Sequence, residues 1–474
     1  MSEVTRSYYT NTARTGKTLL IREIRNGKRR RFKHEYKPTL YTPTANPTNF
    51  KAPDGTPVKA VQPGNMNDCY QFMEKCKNTN VDVYGNTSYP YAYINEEYPD
   101  KIDYFKLSDM VLFNLDIEVD SKTGYHDARD AEGEITAITI KSSVDNKFHV
   151  FACQPFDEIE YNRTHSDSVI EYNQCDNEED MLQKFLDFWE TNEPDIVTGW
   201  HVRIFDIPYI INRIALILSS EDANRLSPWG VIRESTINIY NKPEVVYDVV
   251  GVSILDLLLL YRKNVLEPRE SYRLDYIAEV ELKEGKVDYG EYGTLQELFE
   301  KDFKKFIEYN IHDVRLVDRI DAKRKLIELQ LIVAYHAKIN FEDVMSQVRM
   351  WDTTICNHLL KKNVVIPQKV NVEKTSQFTG AYVMKPKPGL YEWVASVDVQ
   401  SLYPNIMRTL NMGMETKLSQ KELTPEMKQY QKYIALNLMI EGDDGKSIVD
   451  PNAIIDGMTS EFFKHLKQQK VTVG

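Results

Sequence analysis

Met110-Val111-Leu112-Phe113-Asn114-Leu115-Asp116-Ile117-Glu118-Val119 is an apolar run that carries two carboxylates, two residues apart. Its β-branched and aromatic content reads as a buried strand, and side chains two apart on a strand share one face. Asp116 and Glu118 therefore point the same way, about 6–7 Å apart on a strand that rises about 3.3 Å per residue. Such a pair repels unless a cation or a proton lies between its members, and a divalent metal meets that need. The tripeptide alone does not decide, because an acid-x-acid pair at a strand end can also simply meet solvent.

Ile135–Ile140 and Phe148–Ala152 read as two further strands, spaced like an antiparallel meander. Asp176-Asn177-Glu178-Glu179 reads as a capping box opening a helix through Trp189, and Asp195–Trp200 as another strand. Strands followed by alternating helix and strand predict a mixed α/β sheet. Pro208 belongs in the first turn of an apolar helix over Tyr209–Leu218, which puts Asp206 at the helix start, where an Asp is also an ordinary cap. Phe299–Lys325 reads as one helix with a core stripe of Phe303, Ile307, Ile311 and Val314. Tyr309 and Asp313 lie one turn apart on a face almost opposite Ile307 and Ile311, so packing does not ask for them. The positions three and four from Asp313 are Tyr309, Asn310, Leu316 and Val317, which leaves a local ion pair without its base.

A chain of 474 residues is too long for one core, and two to four domains are expected. The formal charge of -12 argues against a uniformly basic surface but not against a local basic groove. Five scattered cysteines without a C-x-x-C pair fit a reducing compartment and exclude a disulfide framework or zinc cluster. No apolar signal core and no long apolar run is present, which predicts a cytoplasmic protein, in the host cytoplasm if viral, with no membrane partner.

Toward the N-terminus, Thr18–Ile24 and Lys28–Lys33 flank Asn26-Gly27, a hairpin signal. The Lys28–Lys33 run reads as a solvated hairpin face with phosphate contact as the alternative. Gly16-Lys17-Thr18 is not a phosphate loop, since Asn11 stands where the earlier glycine belongs. Residues 45–100 read as irregular apart from a helix near Asn67–Lys75, and residues 231–250 as an extended hairpin. Residues 339–377 form a connector with a helix over Val348–Leu360, and Trp393–Val399 reads as a strand ending near Asp398.

Asp116, Glu118, Asp206 and Asp313 with the phenol of Tyr309 suit phosphodiester hydrolysis by two metal ions, Mg²⁺ or Mn²⁺, held about 3.5–4 Å apart. Here the chain resembles a known family. Asp116-Ile117-Glu118, Phe205-Asp206 with Pro208, and Tyr309-Asn310-Ile311-His312-Asp313 look like the three exonuclease motifs of family B DNA polymerases. Phe378–Val383 resembles the segment between the exonuclease and polymerase regions, and Asp398-Val399-Gln400-Ser401-Leu402-Tyr403-Pro404 resembles the first polymerase motif. Order and spacing are most similar to polymerases of T-even-like bacteriophages.

The resemblance implies an N-terminal β-rich domain over 1–109, to which 338–375 return, a ribonuclease H-like 3′–5′ exonuclease domain over 110–337, and part of a palm over 376–474. It implies that Asp116, Glu118, Asp206 and Asp313 hold the exonuclease metals, with Tyr309 assisting the water, and that His201 and Phe205 meet the DNA end. His201 stands where the family usually has Asn, which changes hydrogen-bond geometry and pH response. Asp398 would hold polymerase metals, two per site as in the exonuclease. Ser401, Leu402 and Tyr403 would hold the dNTP, with Tyr403 as steric gate, and Gly380, Ala381 and Tyr382 would follow the template. The hairpin near 231–250 would help part primer from template. The second and third polymerase motifs, K-x-x-x-N-S-x-Y-G and Y-x-D-T-D-S, are not in the sequence, and Gly-flanked Asp443-Asp444 reads as a turn. The expectation is one subunit of a split polymerase that acts on primer–template and single-stranded 3′ ends and synthesises only with a chain carrying fingers and thumb. A free-standing exonuclease and a non-catalytic nucleic-acid-binding subunit are the alternatives.

Overall fold

The Asn26-Gly27 turn has positive φ at both residues, 51° and 72°, and joins β2 (Thr18–Arg25) to β3 (Lys28–His34), with β1 (Ser7–Thr15) completing an antiparallel sheet. The basic run on β3 is exposed, as a solvated hairpin face would be, but two of its arginines are paired. Arg29 lies 3.0 Å from Asp195 and Arg31 2.9 Å from Glu193, beside Arg22 at 2.9 Å from Asp195. Carboxylates from a distant loop use these charges, a pairing no local pattern announces. Two helices rather than one occupy the next stretch, Met66–Asn78 and Tyr89–Glu97, the second with Pro90 in its first turn.

The computed structural model describes residues 6–98, 102–122, 124, 126–239, 242–368, 384–413, 425, 440–441 and 447–448. Two units are separable, residues 1–50 with 57–368, and residues 51–56 with 369–474. In the first unit, Ile339, Phe341 and Val344 share a core with Tyr9, and the Tyr9 hydroxyl donates to the Ile339 carbonyl at 2.8 Å.

The Asp116 run is β4 (Leu112–Val119), followed by β5 (Ile135–Ser142), β6 (Phe148–Ala152), β7 (Ile170–Gln174), β8 (Ile196–Gly199) and, after a hairpin, β11 (Ser253–Asp256). The hairpin is β9 (Ile232–Ile239) and β10 (Lys242–Val249). The sheet runs β7-β6-β5-β4-β8-β11, antiparallel through β4, β5 and β6 and parallel from β4 to β8 and β11. This is the mixed α/β sheet expected from the order of elements.

Helix α1 (Glu178–Asn192) and helix α2 (Asp206–Ile217) share a core with the face of β4 that carries Phe113, Leu115 and Ile117. Its other face carries Asn114, Asp116 and Glu118, paired with Lys141, Thr139 and Ala137, and is covered by α5 (Phe303–Arg324). Between them in the chain run α3 (Leu257–Asn264) and α4 (Leu274–Leu282). At Gly199 an added Cβ would lie 2.4 Å from the Leu115 carbonyl, so a glycine lets β8 approach β4.

Three local expectations change. The cap of α1 is Asn177, which accepts from the Asp180 N–H, while the Asp180 carboxylate takes the Asp176 N–H, so Glu179 is not part of it. The helix expected over 299–325 is two, broken at Asp302, whose side chain caps α5 by accepting from the Lys305 N–H. In the second unit, Trp393–Val399 joins no sheet among the described residues and has exposed side chains, because a strand needs a lateral partner. Ser401 has φ 51° and opens the helix Leu402–Thr409. Gly380, Ala381, Tyr382 and Asp443-Asp444 lie outside the described residues. No helix among the described residues is long and apolar enough to cross a membrane.

Candidate active site

The parallel strands β4, β8 and β11 end on the same side of the sheet, and acids gather there. Asp116 and Glu118 come from β4 and Asp313 from α5, and one ligand oxygen from each lies within 4.8 Å of the others. Asp206 stands on the first turn of α2 and accepts the Ile117 N–H at 3.1 Å, which fixes it beside the β4 acids. Tyr309 lies one turn before Asp313 on α5. The sequence-predicted acids and phenol thus converge.

Tyr309 and Asp313 are only 6% and 4% exposed. The face opposite Ile307 and Ile311 is therefore not a solvent face, because α5 lies between the sheet and other packing elements. Nor does Asp313 lack a base. Lys286, from the loop after α4, pairs with the Asp313 carboxylate and donates to the Tyr309 hydroxyl at 2.9 Å. No base stands one turn away on the helix because the partner is 27 residues distant in the chain.

Burial raises the Asp116 carboxyl well above its ordinary value, with further push from Asp206, Glu118 and Asp313. Burial and Asp313 bring Glu118 up to about 8, and burial brings Asp206 up to about 7. Burial also raises Asp313, against the opposing pull of Lys286. The Tyr309 phenol is pushed far up by burial and by Asp313 and Glu118, and so remains a neutral hydroxyl. Asp313 Oδ1 is buried with no hydrogen-bond partner. Converging carboxylates, one with an unused buried oxygen, fit a hard divalent cation.

These shifts fix a pH dependence. A carboxyl whose folded-state value is raised stabilises the metal-free fold below its unfolded value, and that contribution is lost as pH rises through the folded value. For Glu118 and Asp206 the loss spans from the ordinary carboxylate range up to about 8 and about 7. The expected outcome is that the metal-free melting temperature falls as pH rises from about 5 to about 8.5, and that Mg²⁺ or Mn²⁺ restores most at the alkaline end, where fewer protons must leave. Melting curves with and without metal at several pH values check it, and a metal effect equal at both ends contradicts it.

Three residues of the site have no role that the sequence assigns. Lys286 carries no local signal. Asn310, with 0% exposure, donates from Nδ2 to Asp116 Oδ2 at 2.7 Å, and only its neighbour Tyr309 hints at it. Asp256 ends β11 and caps α3 through the Leu258 and Leu259 N–H groups. An Asp within the apolar run 254–261 was the available sign of a strand-to-helix break. His201 has φ 74° and an exposed side chain, and Phe205 is half-buried, its ring 5.4 Å from that of Tyr209. Asp398, Ser401, Leu402 and Tyr403 belong to the second unit and are exposed there.

The pattern "DNA polymerase family B, exonuclease domain" matches residues 69–277, and "DNA polymerase family B" matches residues 341–469. The chain belongs to the family B DNA polymerases, with an exonuclease domain and part of the polymerase domain. It is 35% identical over 433 residues to the DNA-directed DNA polymerase of Escherichia phage RB69, covering 87% of this chain and 47% of that one. The DNA-directed DNA polymerase of Enterobacteria phage T4 is 34% identical over 443 residues, or 89% of this chain and 48% of the relative. The DNA polymerase delta catalytic subunit of Dictyostelium discoideum is 28% identical over 269 residues, 53% of this chain and 24% of the relative. The chain spans about half the length of the two phage relatives.

Proposed function

We propose that the first unit removes nucleotides one at a time from 3′ ends of DNA, as a proofreading exonuclease. The observation that carries this reading is the meeting of Asp116, Glu118 and Asp313 within 4.8 Å beside Asp206 and a neutral Tyr309. Asp116, Glu118, Asp206 and Asp313 would hold two Mg²⁺ or Mn²⁺ ions, which when bound stabilise the charge that grows on the phosphate. The Tyr309 hydroxyl, kept protonated, orients the attacking water through one hydrogen bond. Lys286 holds that hydroxyl and the Asp313 carboxylate in place, and Asn310 fixes the Asp116 carboxylate. His201 and Phe205 engage the terminal nucleotide.

In this proposal residues 110–337 form the excision module, residues 1–109 with 338–375 its N-terminal neighbour, and residues 376–474 the start of a palm. Asp398 would join a further palm carboxylate for synthesis on primer–template. Ser401 and Leu402 would hold the dNTP, Tyr403 would exclude a ribose 2′-OH, and Gly380, Ala381 and Tyr382 would follow the template. Synthesis then needs fingers, thumb and the remaining palm, supplied by a second chain or in continuation of this one.

A single-stranded oligonucleotide labelled at its 5′ end tests the excision reading. With Mg²⁺ or Mn²⁺ it is expected to shorten in single-nucleotide steps from the 3′ end, and with chelator to remain intact. Internal cleavage, or shortening that ignores the metal, overturns the proposal.

A further inference from the structure

Arg203 lies on the loop between Trp200 and Asp206 that carries His201 and Phe205. The backbone of this loop is already anchored. His201 N–H and Arg203 N–H donate to the two oxygens of Asp256 at 3.2 and 3.1 Å, and Asp256 is 3% exposed at the end of β11. Ile204 and Phe205 N–H groups both reach the His201 carbonyl at 3.1 Å. Loop geometry therefore does not require the Arg203 side chain.

That side chain goes elsewhere. Its Nη2 donates to Asp248 Oδ1 on β10 at 3.2 Å, and its Nη1 lies 3.4 Å from Glu342 Oε2. The Arg203 side chain is 15% exposed. Glu342 is itself held, since it accepts the Ile254 N–H from β11. The base of the hairpin is tied on its other side too, where the Tyr247 hydroxyl donates to Asn212 on α2 at 2.8 Å. One arginine thus clamps three segments far apart in sequence. A largely buried arginine between two acids carries a desolvation cost that simple packing would avoid, and fixing a register is the best-attested use of such a group.

We propose that Arg203 is a positioning residue for the DNA strand: through Asp248 and Glu342 it locks the base of hairpin β9–β10 against the loop that presents His201 and Phe205. The two then offer the strand fixed walls on its way to Asp116, Glu118 and Asp206. This rests on the excision reading above, and concerns strand placement rather than the reacting atoms.

The test uses the full chain, a single-stranded oligonucleotide, and thymidine 5′-(p-nitrophenyl) phosphate, a small ester that presents one nucleotide and has no further strand to place. Arg203→Ala is expected to raise KM for the oligonucleotide about tenfold with kcat within about twofold, since strand placement is lost and the reacting geometry kept. Hydrolysis of the small ester stays unchanged, and Arg203→Lys recovers part of the loss. Asp248→Asn separates the clamp from mere attraction of DNA by a positive charge: the clamp predicts a higher KM, whereas removing a negative charge would otherwise lower it. Unchanged oligonucleotide KM in Arg203→Ala, equal losses on both substrates, or a lower KM in Asp248→Asn overturns the clamp while excision stands. Wild-type protein inert on both substrates sinks the excision reading and the clamp with it.

Discussion

Asp116→Ala and Asp313→Ala are each expected to lower Mg²⁺-dependent release of nucleotides from a single-stranded 3′ end by roughly 10³-fold or more, the scale of losing a preorganised electrostatic group at the reacting centre. The two positions are far apart in sequence but contribute ligand oxygens within 4.8 Å of each other. Removing either leaves the remaining acids with too few oxygens to hold a cation between them. Asp116→Ala also strands the Asn310 amide, already buried with its Oδ1 unpartnered. Asp313→Ala instead frees Lys286, whose ammonium then faces Asp116 and Glu118 and competes for the metal position. Rates at saturating DNA, with the fold checked by melting, measure the effect. Full activity in either variant rejects the site.

The largest expected effect on stability is remote from the chemistry. Arg213 on α2 and Glu178 on the first turn of α1 form a two-point ion pair at 2.7 and 2.6 Å, with both side chains 9% exposed. Further bonds surround the pair: Arg213 Nη1 donates to the carbonyls of Ala131 and Glu132 at 3.0 and 2.9 Å, and Glu178 also accepts the Ile135 N–H at 2.7 Å. Glu178→Ala would leave a buried guanidinium without its counter-charge and is expected to cost about 3–5 kcal/mol. The double variant Glu178→Ala with Arg213→Met should recover much of that, because the penalty lies in the unpaired charge rather than in the lost attraction. Denaturant unfolding of the four-member cycle measures both, and additive losses would refute the pairing argument.

Periodicity was enough to find what forms locally. The period-two run around Asp116 is a strand with both acids on one face, Asn26-Gly27 is the turn, and Pro208 marks the first turn of the helix bearing Asp206. The three motifs that resemble family B polymerases named the acids and the phenol that converge. These features were legible because each depends on neighbours within a turn of helix or a few residues of strand.

Long-range pairing decided the rest. The solvated face of β3 was legible, but the pairing of its Arg29 and Arg31 depended on Asp195 and Glu193, more than 150 residues away in the chain. Asp313 looked unpaired because a helix offers its own side chains only at three and four residues, while Lys286 reaches it from another loop. Trp393–Val399 has the composition of a strand, but composition cannot provide the neighbour whose hydrogen bonds make one. Sequence alone fixed which residue types stand at each motif. Tertiary structure alone brought their charges together, because electrostatic partners are chosen by distance in space and burial, neither of which the order of residues records.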